Sequence, residues 1–296
     1  GAGPAGLEAA RALGKRGYQV VLADADTRLG GRVARERELP GLSAWGRVAD
    51  YREYQLSQMP NVDIYLENEL SADDVLEFGF EHVALATGSS WRADGVSRHH
   101  VIPIPSDASL PVFTPDQVMA GNLPQGRVIL FDDDHYYMGG VVAELLAANG
   151  CEVTLITPAA YVSSWTNNTL EQAAIHARLV DAGVDIVLNR ALVKIEQGEI
   201  TSECVYSGKT NSMSADAVVM VASRRANDDL WQQLSEREAE WSAHGVKSIK
   251  VIGDAQSPAP IAWATYAGHR YARELDGPDV GDALPFRREV AQLKND

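Results

Sequence analysis

Apolar residues near the start of the chain follow first a helical and then an extended periodicity. Leu7, Ala10 and Leu13 recur at intervals of three, which predicts one apolar face of a helix that ends before Gly17. Tyr18–Ala23 is a short, mostly apolar run, typical of a strand that is buried on both faces. Helices that alternate with buried strands build parallel sheets, so the pattern predicts an α/β fold.

The same pattern occurs twice along the chain. Residues 17–22 (GYQVVL) resemble residues 150–155 (GCEVTL), which lie 133 positions further along. Residues 82–88 (HVALATG) resemble residues 217–223 (AVVMVAS), at a separation of 135 positions. Two such similar separations indicate two copies of one unit that contains strand, helix and strand.

The second copy is predicted to begin near Gly126, after a stretch that contains several prolines. Val128–Phe131 is its predicted first strand and Met138–Asn149 its predicted helix. Toward the end of the chain, Ile249–Ile252 predicts a further strand and Ile261–Leu275 a further helix. We therefore expect a discontinuous first domain, with the second domain inserted into it, over residues 1–125 plus 245–296 and residues 126–244.

A glycine-rich loop opens the chain and gives the first indication of chemistry. Gly1, Gly3 and Gly6 form the pattern GxGxxG directly before the predicted helix. In dinucleotide-binding domains these glycines allow a tight turn, the close approach of a pyrophosphate and close packing of helix on strand. Asp24 follows the next strand, where an acidic residue receives a ribose hydroxyl. Because a strand normally precedes such a loop, we expect the first strand of this domain to lie upstream of Gly1.

The second copy lacks this glycine loop. Asp132, Asp133 and Asp134 stand where the glycines would be, and Gly139 aligns with Gly6. Carboxylates stabilise the N-terminus of a helix, but they repel a pyrophosphate. We therefore expect two dinucleotide-binding (Rossmann-like) domains, of which the second is degenerate and does not bind NAD(P)H.

Composition and charge narrow the class of protein further. The 296 residues are 45% hydrophobic and 23% charged, as in ordinary globular proteins, and the longest apolar runs are far shorter than a membrane span. With 41 acidic and 26 basic residues the net charge is −15, which disfavours binding to nucleic acid. Two cysteines are too few for an iron–sulfur cluster, and the seven histidines show no metal-binding spacing. No signal peptide is evident, so we expect a cytoplasmic protein.

The full pattern resembles one known family over essentially the whole chain. It is similar to the C-terminal half of the iron–sulfur flavoprotein amine dehydrogenases, the trimethylamine, dimethylamine and histamine dehydrogenase group. These enzymes are relatives of dienoyl-CoA reductase and old yellow enzyme. The resemblance rests on four segments, which are Leu39–Leu42, Asp132–Gly140, Ser163–Thr169 and Pro285–Glu289.

The resemblance implies a role in amine oxidation that this chain would perform only in part. In the family, an N-terminal (β/α)8 barrel carries covalent FMN and is followed by a four-cysteine [4Fe–4S] motif, so both groups are expected upstream of this chain. Electrons pass from the amine through these groups to an electron-transferring flavoprotein, and a homodimer is expected for the full-length protein. The C-terminal half in the family holds ADP at the position where relatives hold FAD.

The resemblance also implies a set of cofactor contacts, whereas no catalytic residue and no metal ligand is assigned to this chain. Leu70 is included because its backbone would face the adenine after the predicted strand Val62–Leu66. Gly253 and Asp254 are included because related flavoproteins contact a ribityl or ribose chain at this position. The candidates for binding ADP or FAD are Gly1, Gly3, Ala5, Gly6, Asp24, Gly30, Gly31, Arg32, Leu70, Thr87, Gly88, Gly253 and Asp254.

Two other functions stay open on the sequence alone. The first is an FAD-dependent NAD(P)H oxidoreductase of the dienoyl-CoA reductase type, which would have to bind a dinucleotide beside Asp132–Asp134. The second is a non-catalytic module in which an adenine nucleotide only stabilises an assembly. An absorbance spectrum separates flavin from ADP, because only flavin absorbs visible light.

Overall fold

The computed structural model describes residues 1–107 and 109–277. The helices in these ranges are α1 (Pro4–Lys15), α2 (Arg32–Glu36), α3 (Arg47–Ser57), α4 (Ala72–Glu77), α5 (Pro115–Met119), α6 (Tyr137–Ala148), α7 (Gln172–Asp181), α8 (Asp229–Glu236), α9 (Glu238–Trp241) and α10 (Ile261–Glu274). The strands are β1 (Val20–Ala23), β2 (Val62–Tyr65), β3 (His82–Leu85), β4 (Ser89–Trp91), β5 (Val112–Phe113), β6 (Arg127–Asp132), β7 (Glu152–Ile156), β8 (Asp185–Val187), β9 (Arg190–Glu196), β10 (Glu199–Cys204), β11 (Thr210–Ser214), β12 (Ala217–Val221), β13 (Arg224–Ala226) and β14 (Ser248–Val251). None of the helices described here has the length and apolar character needed to cross a membrane.

A five-stranded parallel sheet in the order β5-β12-β6-β7-β8 is built from strands that lie between Val112 and Val221. Its middle strands, β6 and β12, are almost entirely buried, because both faces of the sheet are covered. Val128 and Leu130 pack with apolar side chains of α6 and α7 on one face. Ile129 and Phe131 pack on the other face against the antiparallel sheet β11-β10-β9. Burial on both faces explains why these strands are continuous apolar runs in the sequence.

The remaining strands form three pairs beside this sheet. β1 pairs with β2 and β3 pairs with β14, both in parallel. β4 and β13 pair in antiparallel register, with Ser89 opposite Ala226 and Trp91 opposite Arg224. β4 and β13 are therefore neighbouring segments through which the chain runs into and out of the region of the five-stranded sheet.

Gly1 lies between the carboxyl ends of β1 and β3. Its backbone nitrogen donates to the carbonyl oxygen of Ala23 at 2.9 Å, and a Cβ added to it would come within 2.2 Å of the carbonyl oxygen of Ala86. The two parallel strand pairs therefore flank the backbone at Gly1, with a trough between β1 and β3 beneath it. The strand expected before Gly1 would run along this trough, and it stays a prediction.

The structure confirms the predicted order of helices and strands, with shifts of one or two residues at their ends. The strand predicted at Tyr18–Ala23 begins at Val20, and the helix predicted at Met138–Asn149 begins at Tyr137. The α/β fold with a parallel sheet is confirmed. The domain boundaries, and the insertion of one domain into the other, stay predictions. The segment Pro285–Glu289 lies outside the described residues.

Helices α1 and α10 cross at close range, and small residues lie at the point of closest approach. Gly268 is buried there, and a Cβ added to it would lie 2.1 Å from the carbonyl oxygen of Ala5 and 3.0 Å from the backbone nitrogen of Ala9. Ala264 packs beside these alanines. This contact packs α10 against α1, the helix that follows the glycine loop.

Gly268→Ala is expected to destabilise the protein, although alanine is normally the better helix former. The added methyl group would meet the backbone of α1, and overpacking of this kind costs about 1–3 kcal/mol against a gain of about 1 kcal/mol in helix propensity. Thermal unfolding should therefore show a lower midpoint for this variant. Ala262→Ser, on the exposed side of α10, is the control and should change stability by less than about 0.5 kcal/mol. A midpoint for Gly268→Ala above that of the wild type would contradict the close crossing.

Candidate functional site

A cleft runs along the glycine loop and continues into the trough between β1 and β3. Most of the residues proposed from the sequence as cofactor contacts line it, namely Gly1, Gly3, Ala5, Gly6, Asp24, Gly31, Arg32, Leu70, Thr87, Gly88 and Asp254. Gly30 and Gly253 do not line it. Gly30 donates its backbone N–H to Ala2 at 2.9 Å, and a Cβ on Gly253 would come within 2.5 Å of the Ala5 side chain. These two glycines lie behind the cleft and allow its walls to pack closely.

The glycine loop leaves an open space at the N-terminus of α1. Gly3 is the residue before the helix, and no side chain caps the free N–H groups of its first turn. A Cβ added to Gly3 would have no protein atom closer than 4.0 Å, where it would meet the Cα of Gly31. Because the helix dipole and free N–H groups favour negative charge, this open space is suited to a phosphate.

Gly6 has the opposite role to Gly3. A Cβ added to Gly6 would lie 1.8 Å from the carbonyl oxygen of Gly1, so only glycine fits there. The absent side chain lets α1 pack directly on the backbone beneath it, as the third glycine of the pattern does in dinucleotide-binding domains. Of these loop positions, Gly3 is the one that faces free space and Gly6 is the one that packs against protein.

Asp24 lies at the carboxyl end of β1, and its carboxylate accepts hydrogen bonds from two backbone N–H groups. One oxygen accepts a hydrogen bond from the backbone N–H of Ala2, and the other accepts one from the N–H of Asp26 at 2.8 Å. Each carboxylate oxygen can accept a second hydrogen bond. Asp24 can therefore fix the loop and still receive a ribose hydroxyl in the cleft.

A buried network of four charged groups lies at the edge of the cleft. Asp254 accepts hydrogen bonds from Arg32 at 2.9 Å, from Arg224 at 2.5 Å and from Ser89 at 3.3 Å. Arg32 also donates to Glu36 at 2.7 Å, and the side chains of Glu36 and Asp254 are only 2% and 6% exposed. Two arginines thus balance two carboxylates, which is how charges are tolerated away from water. Arg32 lines the cleft, but its guanidinium is already held by protein groups.

Arg224 was not among the residues proposed from the sequence. Burial, together with the nearby charge of Arg32, lowers the pKa of Arg224. Its guanidinium lies over the ring of Trp91 at 5.6 Å and donates to the carbonyl oxygen of Ala259 at 2.9 Å. The internal repeat contains a signal for it, because Arg224 follows residues 217–223 as Ser89 follows residues 82–88. Both residues begin short crossover strands, and both contact Asp254.

The aspartate-rich loop of the second copy is turned toward protein and not toward solvent. Asp132 and Asp133 are fully buried. Asp132 accepts a hydrogen bond from the N–H of His135 at 3.0 Å, and its carboxyl group fills the space over Gly139, where a Cβ would meet it at 2.4 Å. The expectation of three carboxylates facing a ligand is therefore wrong for Asp132 and Asp133, because both side chains pack inward beside β6.

Burial raises the pKa of Asp132 to about 7, and the neighbouring Asp134 carboxylate adds to the rise. One oxygen of Asp132 has no hydrogen-bond partner among the described residues. The pKa of Asp133 is instead below its usual range, because hydrogen bonds from His135 and Ser97 outweigh the effect of burial. Within residues 1–107 and 109–277, no group of three or more His, Cys, Asp or Glu side chains is placed to hold a metal ion.

Two protein families match separate parts of the chain. Residues 1–61 match the NAD(P)-binding Rossmann-like domain, and residues 113–233 match the OYE-like second alpha/beta domain. The first match contains the glycine loop and Asp24, and the second contains β6, β12 and the aspartate-rich loop. The chain is thus similar to NAD(P)-binding Rossmann-like domains at its start and to the OYE-like second alpha/beta domain further along.

The chain also matches particular enzymes over almost its whole length. It is 63% identical to the solved structure of histamine dehydrogenase from Rhizobium sp. 4-9, with a TM-score of 0.96, covering 99% of this chain and 46% of that one. It is 47% identical to 6-hydroxypseudooxynicotine amine oxidase (HisD) from Pseudomonas geniculata N1, with a TM-score of 0.88 and coverage of 92% and 40%. It is 37% identical to dimethylamine dehydrogenase from Hyphomicrobium sp. (strain x), covering 98% of this chain and 43% of the relative. The chain is therefore homologous to amine dehydrogenases and spans less than half the length of these relatives.

Asp132→Asn is expected to change how stability depends on pH. The pKa of Asp132 is about 7 in the folded protein and about 4 in an unfolded chain, so folding favours the protonated form. Its contribution to stability is therefore largest below pH 4 and falls as the pH rises from about 4 to 7. The neutral amide does not titrate, so the melting temperature of the variant relative to wild type should rise between pH 5 and pH 8 by at least about 2–4 °C.

The exposed carboxylate of Asp63 on β2 provides the control for this measurement. Asp63→Asn is expected to give the same difference from wild type at both pH values. A difference between Asp132→Asn and wild type that stays constant from pH 5 to pH 8 would contradict a protonated, buried Asp132.

Proposed function

We propose that this chain is the nucleotide-binding C-terminal portion of an amine dehydrogenase that contains FMN and a [4Fe–4S] cluster. The full protein would oxidise a small amine by oxidative demethylation or deamination and would pass the electrons to an electron-transferring flavoprotein. FMN and the cluster would be held by an N-terminal barrel that belongs to the same polypeptide. The observation that carries the proposal is the open space at Gly3, in a chain 63% identical to histamine dehydrogenase.

An adenine nucleotide fits the residues that line the cleft. Its diphosphate would lie at the N-terminus of α1, over the backbone of Gly3 and Gly31, which approach so closely that a Cβ on Gly31 would lie 2.9 Å from the Cα of Gly3. Asp24 would accept a hydroxyl of the ribose, and the backbone at Leu70 would face the adenine. Such a ligand carries no redox group if it is ADP, and it would then act by stabilising the fold through binding.

The buried charge network favours ADP over FAD as the ligand. One end of a diphosphate bound at Gly3 would lead to Asp24, and the other end would lead past Gly31 toward Arg32 and Asp254. In an FAD-binding relative, the residue at Asp254 would contact the ribityl chain. Here its carboxylate already accepts hydrogen bonds from two arginines and Ser89, and it accepts a fourth from the N–H of Ala259. The site therefore supports a ligand that ends at the second phosphate.

This arrangement also favours the amine dehydrogenase over a reductase of the dienoyl-CoA reductase type. Such a reductase would receive hydride from NAD(P)H bound in the second copy of the repeat. The loop at Asp132–Asp134 is packed with inward-facing carboxylates in place of open glycines. We propose in addition that the full-length protein is a cytoplasmic homodimer that binds neither nucleic acid nor membranes.

The composition and redox behaviour of the full-length protein test this proposal. Acid should release ADP, whereas FMN, which is covalently bound in the family, should stay on the denatured protein and show its visible absorbance there. An amine alone should reduce the full-length protein. A flavin that is reduced by NADH or NADPH, together with released FAD, would support the dienoyl-CoA reductase type instead. Release of ADP from a protein without any flavin absorbance, and no response to amines, would support the non-catalytic module.

Gly3→Ala is expected to weaken ADP binding without unfolding the protein. The backbone at Gly3 has φ −71° and ψ −176°, which alanine adopts without strain, and the new methyl group would enter the proposed phosphate space. Calorimetric titration should show ADP affinity lowered by about tenfold or more, equal to about 1.4 kcal/mol. Adenosine, which has no phosphate, should lose little affinity.

The exposed Gly277 gives a matched control for this glycine substitution. A Cβ added there meets only an ordinary contact at 3.4 Å, so Gly277→Ala should bind ADP like the wild type. Equal ADP affinity for Gly3→Ala and wild type would place the phosphates elsewhere in the cleft.

Arg224→Ala is expected to relax the preference of the site for ADP over FAD. Removing the guanidinium opens the edge of the cleft and frees a hydrogen-bonding position on Asp254. We expect the ratio of the Kd for FAD to the Kd for ADP to fall by about tenfold, equal to about 1.4 kcal/mol. Arg225→Ala removes the neighbouring exposed arginine and should leave the ratio unchanged. Stronger binding of FAD than of ADP by the wild type would show that the network does not limit the ligand.

A further inference from the structure

The second copy of the repeat has its own crevice at the point where a dinucleotide would bind. In open parallel sheets, ligands bind beyond the carboxyl ends of the strands, where neighbouring strands are connected in opposite directions. In this sheet that point lies between β6 and β12, because β6 continues through α6 to β7 on one side and β12 lies on the other. The residues that follow the two strands, Asp133 and Ser223, therefore mark the position of the crevice.

A segment of the chain itself lies at this crevice. Gly95–His100, here named the strap, folds back on itself, since the N–H of Ser97 donates to the carbonyl oxygen of His100 at 2.8 Å. The strap contacts the ends of both strands. The hydroxyl of Ser97 and the N–H of His99 donate to the carboxylate of Asp133, the latter at 2.8 Å. On the other side, the hydroxyl of Ser223 donates to the carbonyl oxygen of Val96.

Further contacts fix the strap over the sheet. The ring of His100 lies 6.1 Å from the ring of Phe131 at the end of β6. The guanidinium of Arg98 lies over the ring of Trp165 at 5.5 Å. Its positive charge also acts on the carboxylate of Asp134 and favours its ionised form, although burial raises the pKa of that group. The strap thus supplies hydrogen-bond donors and one positive charge to the aspartate-rich loop.

We propose that the strap is a built-in occupant of the second nucleotide crevice and keeps a nicotinamide dinucleotide out by filling its space. Asp133 is the anchor, since its buried carboxylate accepts two hydrogen bonds from the strap and lies 3.2 Å from the ring nitrogen of His135. Electrostatic repulsion by the aspartates is then not the cause of exclusion, because the side chains of Asp132 and Asp133 are buried in protein and the guanidinium groups of Arg224 and Arg98 oppose the charge of Asp134. This inference does not depend on the ligand of the first cleft.

Hydrogen exchange of the full-length protein tests whether the strap is held by Asp133. The backbone amides of Ser97 and His99 should be protected in the wild type and should exchange about tenfold faster or more in Asp133→Ala, the effect of losing about one such bond. Asp133→Asn keeps a carbonyl acceptor and should restore most of the protection. Asp107→Ala, at an exposed turn outside the crevice, is the control and should leave these amides unchanged. Strap amides that already exchange freely in the wild type would overturn the proposal.

Titration with NADH and NADPH tests whether the strap or the negative charge of the aspartates excludes the dinucleotide. The double variant Asp133→Asn/Asp134→Asn removes two negative charges but keeps an acceptor for the strap. We expect no saturable binding below about 1 mM, in the wild type or in this variant. Binding below that concentration with the strap amides still protected would overturn the proposal and restore repulsion as the cause. Binding accompanied by fast exchange of the strap amides would support it, because the ligand would then displace the strap.

Discussion

The close approach of helix α1 to the backbone beneath it is the constraint on which the first half of the molecule depends. There is no room for a Cβ at Gly6, because the carbonyl oxygen of Gly1 would lie 1.8 Å away. This contact places the N-terminus of α1 directly above the ends of β1 and β3. Helix α10 also packs closely on α1, at Gly268. Because both contacts are made by backbone atoms, the free N–H groups at the start of α1 have a fixed direction into the cleft.

The two copies of the repeat differ in what occupies the space at the N-terminus of their first helix. In the first, glycines leave space over the helix N-terminus, and that space is open to the cleft. In the second, the carboxyl group of Asp132 fills the space over Gly139, and a neighbouring segment of chain covers the loop. A carboxylate inside a covered loop gains little from water, which is why burial raises the pKa of Asp132 to about 7. One architecture thus supports an open site and a closed one.

The elements and most of the cleft could be predicted from the sequence because they depend on local patterns. Helix α1, strand β1 and the glycine loop follow from periodicity and from the restricted role of glycine. The orientation of Asp132 and Asp133 could not be predicted, because it depends on partners such as Ser97 that are distant in sequence. Arg32 lines the cleft, but its ion pair with Asp254 could not be predicted, because it joins two segments that are 222 residues apart.

The buried charge network limits which substitutions are tolerated during evolution. Its members are Arg32, Glu36, Arg224 and Asp254. A single replacement of any one of them leaves its partners buried with an unmatched charge, which is strongly destabilising. Viable lineages would therefore pass through paired replacements, or through changes that first admit water to the site. Because the four positions lie on α2, on β13 and after β14, descendants of this gene should show linked changes between Arg32 and Asp254, which are 222 residues apart.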